Sequence, residues 1–173
     1  MAKYKIKKIL NVGKEKQAKE ETKDTIKEVP KLDEKFIFNQ SLRPPYSVIL
    51  DTNFINDCIR KRKDIRNEIL EALGGSIKLH VPECVLGELE KLGRPYRVGL
   101  ALVRSDDVQR LKCDHKGTYA DDCIVDRVTK HRCYVVATSD TALKQRIKEL
   151  PGVPIITFRG RRCYVDRFMP ATF

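Results

Sequence analysis

Tyr46-Ser47-Val48-Ile49-Leu50-Asp51-Thr52-Asn53 is a short apolar run closed by an acid and two small polar residues. The run at 48–50 has no polar position to turn toward water, which is the pattern of a strand buried on both faces. In open α/β sheets, ligands collect in the crevice outside the carboxyl ends of the strands. A carboxylate there, just before the chain turns into a helix, is badly placed for packing and well placed for a cation. A second role also fits, because Asp at a strand end often caps the following helix.

Outward from this run, strand and helix patterns alternate, and the fold class is α/β with a mostly parallel sheet. Residues 54–62 and 65–73 carry apolar residues at helical spacing, and the second stretch stops at Gly74-Gly75. A strand follows at 77–81, and Pro82 suits the first turn of a helix. That helix runs through Val85, Leu86, Leu89 and Leu92 to Gly93. Residues 96–111 predict further helix, interrupted near Ser105-Asp106-Asp107, and 112–119 a polar loop. Then come a helix over 120–130, a strand over 133–137, a helix over 141–150 and a turn at Pro151-Gly152. A last strand is expected at 155–158.

Residues 1–43 differ from the rest of the chain. They are rich in Lys and Glu and poor in large apolar residues before Phe36-Ile37-Phe38, so they cannot bury enough surface to fold alone. We read them as a basic, largely extended arm, with weak helix at 14–27 and with Phe36 and Phe38 pinning it to the domain or, second in order, to a partner. Pro44-Pro45 marks the boundary, and 44–173 is the folded domain with a basic C-terminal tail.

The 173 residues carry a formal net charge of +11, which calls for an acidic partner, most commonly nucleic acid. No apolar run approaches the roughly 18 residues that span a bilayer. The N-terminus is basic without the apolar segment of a secretory signal. A reducing compartment is therefore expected, with the six cysteines as thiols or metal ligands.

Glu88, the pair Asp121-Asp122, and Asp140 recur in settings similar to that of Asp51. Asp140 also follows a strand-like run, and parallel neighbours would bring both ends to one edge of the sheet. Each acid taken alone fits a cap, and Asp140 before Thr141 could be only that. Together they would repel one another, at about 4 kcal/mol per pair 4 Å apart for an effective dielectric near 20. Hard divalent cations such as Mg²⁺ or Mn²⁺ remove that conflict. Asn53, Thr138 and Ser139 are placed to orient a ligand or water. Adjacent helical residues point about 100° apart, so only one of Asp121 and Asp122 is expected to reach a shared cation directly. A second donor set, Cys84, Cys113, His115 and Cys123, is chemically sound for zinc, although its spacing is not that of a standard finger and buried free cysteines are common. Cys58, Cys133 and Cys163 read as ordinary thiols, and His131 as a helix C-terminal residue. Basic residues cluster at 60–63, 91–97, 110–116 and 159–167. Among them Arg94, Arg97 and Lys116 are candidates for phosphate contacts, and Tyr96 and Tyr119 for stacking on unpaired bases.

The strings Leu50-Asp51-Thr52-Asn53-Phe54-Ile55-Asn56, Glu88 to Gly93, His115 to Asp122 and Ala137-Thr138-Ser139-Asp140 occur in the order of the PIN-domain nucleases. Pro44-Pro45-Tyr46, Lys116-Gly117-Thr118-Tyr119-Ala120-Asp121-Asp122-Cys123 and 148–154 narrow the likeness. Over roughly 36–158 the chain resembles the PIN endonuclease family of the eukaryotic small-subunit processome. The resemblance implies a three-layer PIN-like fold. It also implies a metal-dependent endoribonuclease that cuts precursor ribosomal RNA beside the U3 small nucleolar ribonucleoprotein and other processome proteins, in the nucleus and nucleolus. By family pattern Asp51, Glu88, Asp121 or Asp122, and Asp140 hold the metal. The general PIN pattern favours Asp122, whereas the processome relatives make Asp121 a rival. The alternatives are a catalytically silent scaffold in the same particle and a toxin-type ribonuclease, the latter opposed by the 116–123 string. The arm looks shorter and more acidic than in those relatives, and Arg159-Gly160-Arg161-Arg162 replaces a less basic stretch.

Overall fold

The apolar run before Asp51 forms β1 (Tyr46–Leu50), with Val48, Ile49 and Leu50 all withdrawn from solvent. The computed structural model describes residues 39, 41–115 and 119–167. Residues 1–38 and 40 of the expected arm, with its helix at 14–27, Phe36 and Phe38, lie outside the described residues, as does Lys116.

After β1 come α1 (Thr52–Lys61), α2 (Ile65–Leu73), β2 (Ile77–Pro82) and α3 (Glu83–Leu92). A 3₁₀ turn (Arg94–Tyr96) leads to α4 (Arg97–Val103) and β3 (Val108–Leu111), followed by α5 (Ala120–Lys130), β4 (Tyr134–Ala137) and α6 (Thr141–Lys148). An antiparallel hairpin of β5 (Ile155–Arg159) and β6 (Arg162–Asp166) ends the described chain. The sheet order is β3-β2-β1-β4-β5-β6, and every pairing except β5–β6 is parallel.

This order decides where a ligand goes. The chain builds outward from β1 to β2 and β3, then returns to the other side of β1 with β4 and β5. The reversal lies between β1 and β4, and it opens a crevice at their carboxyl ends. Asp51 follows β1 and Asp140 follows β4, so both stand at the switch point. The backbone closes the two strands there, with the Asp51 N–H donating to the Ala137 carbonyl at 3.0 Å.

The core supports that edge rigidly. Val135, Val136, Ala137, Ile155 and Ile156 are buried beside β1, as a parallel sheet covered on both faces requires. From α1, Phe54, Ile55 and Cys58 pack inward, and Phe54 stacks on Phe158 of β5 at 5.1 Å.

Two expectations are corrected. Residues 108–111 are not helix, because the four residues pair in parallel with β2. Val108 and Leu111 lie three apart, a spacing that reads as one helical turn until the open edge of β2 supplies hydrogen-bond partners. Nor is 155–158 the last strand. Arg162–Asp166 folds back on it, with Cys163 and Val165 more covered than Arg162, Tyr164 and Asp166. Pro82 ends β2 and stands at the N-cap of α3, one position before the predicted first turn.

Candidate functional site

Asp51 has the N-cap position of α1, yet its side chain makes no capping bond. Its Oδ2 instead accepts from the Thr138 hydroxyl at 2.7 Å, and that hydroxyl oxygen accepts from the Asp140 N–H at 3.0 Å. The two strand ends are thus wired together by one threonine. Only 1 % of Asp51 is exposed. Burial pushes its carboxyl up to about 6, the Thr138 bond opposes the rise, and the charge of Asp121 adds to it, as that of Glu88 does to a smaller degree.

Glu88 enters from α3. Its Oε2 accepts from the Thr52 hydroxyl at 2.7 Å and its Oε1 from the Ala120 N–H at 3.2 Å. One carboxylate therefore ties the first turn of α1 to the start of α5. That contact sets the position of the acid pair in the first turn of α5, where a helix N-terminus favours negative charge.

The members of that pair diverge. Asp121 is partly buried; burial raises its carboxyl, the charges of Asp140 and Glu88 raise it further, and Arg146 opposes them. Asp122 has 66 % of its side chain exposed and accepts from Arg146 at 2.7 Å. Asp121 thus stands among the other acids, while Asp122 faces a cation at the rim.

Asp140 does two things at once. Its Oδ1 caps α6 by accepting from the Ala142 N–H at 2.7 Å, and its Oδ2 faces Asn53 Nδ2 at 3.5 Å. Capping accounts for one oxygen of Asp140 and for neither of Asp51.

A cleft of about 670 Å³ is lined by Asp51, Glu88, Asp121 and Asp122 together with Tyr96, Tyr119 and Arg146. Tyr119 is 74 % exposed at its mouth. Arg94 and Arg97 are exposed on the turn after Gly93 and do not line it. Gly93 makes that turn at φ +77° and ψ −147°, a conformation open to glycine and closed to other residues. Sequence reasoning missed Thr52, Asn56 and Arg146. Asn56 lies one turn after Thr52, a spacing that would have put it on the same face. Its Oδ1 is buried without a partner, as is the Ser139 hydroxyl. Arg146 had no local signal.

Hard oxygen donors dominate this cleft, and the carboxylates repel as they stand. The donor set fits a divalent ion such as Mg²⁺ or Mn²⁺.

A second cluster is soft. Ligand atoms of Cys84, Cys113, His115 and Cys123 lie within 4.8 Å of one another. Cys113 Sγ is 3.7 Å from Cys84 Sγ and 3.6 Å from Cys123 Sγ. A disulfide requires about 2.05 Å, whereas Zn–S bonds of about 2.3 Å in a tetrahedron place sulfurs roughly 3.8 Å apart. The geometry fits zinc. The remaining thiols behave as expected: Cys58 is buried, Cys163 is half-buried, and Cys133 is exposed. His131 is the C-cap of α5.

Together, the mostly parallel sheet and the acids at its switch point define a PIN domain. A solved structure titled "Structure of the PIN domain endonuclease Utp24" superposes with a TM-score of 0.70 at 45 % identity, covering 76 % of this chain and 98 % of that one. The chain belongs to the Fcf1 family, whose profile matches residues 71–167. It is 48 % identical over 138 residues to the rRNA-processing protein FCF1 of Saccharomyces cerevisiae, covering 80 % of this chain and 72 % of that protein. The Schizosaccharomyces pombe protein of the same description is 44 % identical over 158 residues, covering 90 % and 82 %. The human homologue is 46 % identical over 132 residues, covering 76 % and 67 %.

Proposed function

We propose that this protein is a metal-dependent endoribonuclease that cleaves precursor ribosomal RNA during small-subunit assembly. The observation that carries this reading is the gathering of Asp51, Glu88 and Asp121 in one cleft, with Asp140 near enough to raise the Asp121 carboxyl and with Asp51 buried and not used as a cap. The names of the relatives supply the substrate class. Work beside the U3 particle and processome proteins, in the nucleus and nucleolus, is part of the same reading.

In this reading Asp51, Glu88, Asp121 and Asp140 hold Mg²⁺ or Mn²⁺. The bound cation supplies Lewis acidity at the scissile phosphate and a water of lowered pKa. Thr138 orients Asp51 and Thr52 orients Glu88, each through a 2.7 Å hydrogen bond. Asp122 balances Arg146 at the rim, where Arg146 meets phosphate. Tyr96 and Tyr119 stack on bases of an unpaired strand, and Arg94, Arg97 and Lys116 add phosphate contacts around it. Cys84, Cys113, His115 and Cys123 hold a structural zinc. Residues 1–43 serve as a basic arm that docks in the particle, and 44–173 as the nuclease domain.

The test uses a precursor-rRNA fragment with Mg²⁺ or Mn²⁺. Asp51→Asn and Asp121→Asn should each lower cleavage by at least about 100-fold, the scale of removing one electrostatic interaction with the reacting group, with the fold and RNA affinity retained. Asp122→Asn should cost about tenfold or less. If the wild-type protein leaves the RNA uncut even within the assembled particle, the protein is a scaffold.

A further inference from the structure

The β5–β6 hairpin ends in Arg159-Gly160-Arg161-Arg162. Gly160, at φ +66°, lets the chain reverse in two residues. The register then sets Arg159 directly opposite Arg162. Like charges facing each other across a strand pair destabilise the sheet. No carboxylate pairs with Arg159, Arg161 or Arg162 among the described residues, and all three are exposed. The arrangement contrasts with the basic end of α1, where Lys61 faces Asp57 and Lys63 faces Glu68.

Two further features show what the tip fits. The Arg159 guanidinium lies 5.4 Å from the centre of the Tyr164 ring, which is 47 % exposed. An exposed ring beside a guanidinium is a stacking platform for a nucleobase. Moreover, β5 runs parallel to β4 and β1, so Arg159 emerges at the same edge of the sheet as Asp51 and Asp140. Strands about 4.8 Å apart put β5 roughly 10 Å from β1 across the sheet, close enough for one strand of RNA to pass from the cleft to the tip.

We propose that this hairpin tip is a second RNA contact, in which Arg159, Arg161 and Arg162 grip the phosphates of a single strand leaving the cleft and Tyr164 stacks on one of its bases. The choice of RNA over an acidic polypeptide rests on the nuclease reading and on the arginine–tyrosine platform. The tip positions substrate and takes no part in cleavage.

The full chain is titrated with a fluorescent 20-nucleotide single-stranded RNA, without divalent ions, between 50 and 200 mM salt. Removing one arginine–phosphate interaction lowers the slope of log K against log salt by about 0.7. The triple variant Arg159→Gln, Arg161→Gln, Arg162→Gln should therefore reduce that slope by about 2 and bind roughly tenfold or more weakly at 100 mM, with unchanged melting. Tyr164→Leu should weaken binding about fivefold or more with little change in slope. An unchanged slope and affinity in the triple variant overturns the clamp, as does a wild-type chain that binds no single-stranded RNA. Loss of polyglutamate binding with RNA binding intact also overturns it and assigns the tip to an acidic protein. A wild-type chain that leaves precursor rRNA uncut with Mg²⁺ or Mn²⁺ even within the assembled particle, while the triple variant loses RNA, ends the nuclease reading and leaves the clamp standing.

Discussion

Asp51 is a carboxylate whose surroundings oppose its charge. Its folded-state pKa is raised to about 6, first by burial. A raised pKa means that the folded protein holds the proton more tightly than the unfolded chain does. The stabilisation is therefore full below about 4 and is lost as pH rises through about 6. The rise from 3.8 to about 6 corresponds to about 3 kcal/mol at most. In chelator at pH 7.5, Asp51→Asn should melt higher than the wild type, and the gap should close as pH falls from 6 to 4. Mg²⁺ or Mn²⁺ should raise the wild type alone. Parallel melting curves for the two proteins at every pH would show that the charge costs nothing. Sequence alone marked Asp51 as either cap or ligand, because capping depends on where the carboxylate turns. For the acid pair it offered a family pattern that favours Asp122 and relatives that make Asp121 a rival. Their different surroundings come from Arg146, twenty-four positions from Asp122, and from Glu88, which accepts from the Ala120 N–H at the start of α5.

Among the elements, β2 carries an anomaly of its own. His80 is buried with both ring nitrogens unpartnered, its ring edge-on to Tyr134 at 5.6 Å. Burial lowers its pKa below the ordinary 6.5, and the charges of Lys78 and Arg127 add to the effect. Here the sign is opposite to that of Asp51. The neutral ring is tolerated above 6.5, and stability is lost as pH falls below it. His80→Phe keeps a ring in place and removes two unsatisfied polar atoms, so it should raise stability by about 1 kcal/mol at pH 7. It should also flatten the acid limb of a denaturation series, and an unflattened limb would place that proton elsewhere. Elements with long patterns were legible in the sequence: β1, β2, α2 and α5 lie within a residue or two of where periodicity put them. Short edge strands were not. Four residues such as Val108–Leu111 satisfy helical and extended spacing equally, and only the neighbouring strand decides. In β6 the alternation was present in Cys163 and Val165, but three arginines in the preceding four residues made it look like a tail.

Across the molecule, the hard and soft donor sets are built on the same two helices. On α3, Cys84 precedes Glu88 by four residues, about one turn. On α5, Cys123 follows Asp121 by two. Cys113 lies just beyond β3, where Glu83 accepts from its N–H at 3.2 Å and Arg127 donates to the Lys112 carbonyl at 2.6 Å. A zinc bound by Cys84, Cys113, His115 and Cys123 would clamp an edge strand to both helices and hold Glu88 and Asp121 at a fixed separation. Strand-end acids and cysteine content made both donor sets legible as residues in the sequence. Their sharing of α3 and α5 was not, since it follows from how those helices pack together. Burial raises the Cys84 and Cys123 thiols, which keeps them protonated in metal-free protein, so assembly must release protons. A thiol-affine chelator should therefore lower the melting temperature by at least about 5 °C, the equivalent of one to two kcal/mol in a domain of this size. Cleavage should fall with it, although no ligand of the acidic cleft has been touched. Zinc should restore both, and Mg²⁺ neither. Cys113→Ser should bind less than one equivalent of zinc and copy the chelated protein. Full zinc content in that variant, or cleavage unaffected by complete zinc removal, would mean that the two sites are independent despite sharing their helices.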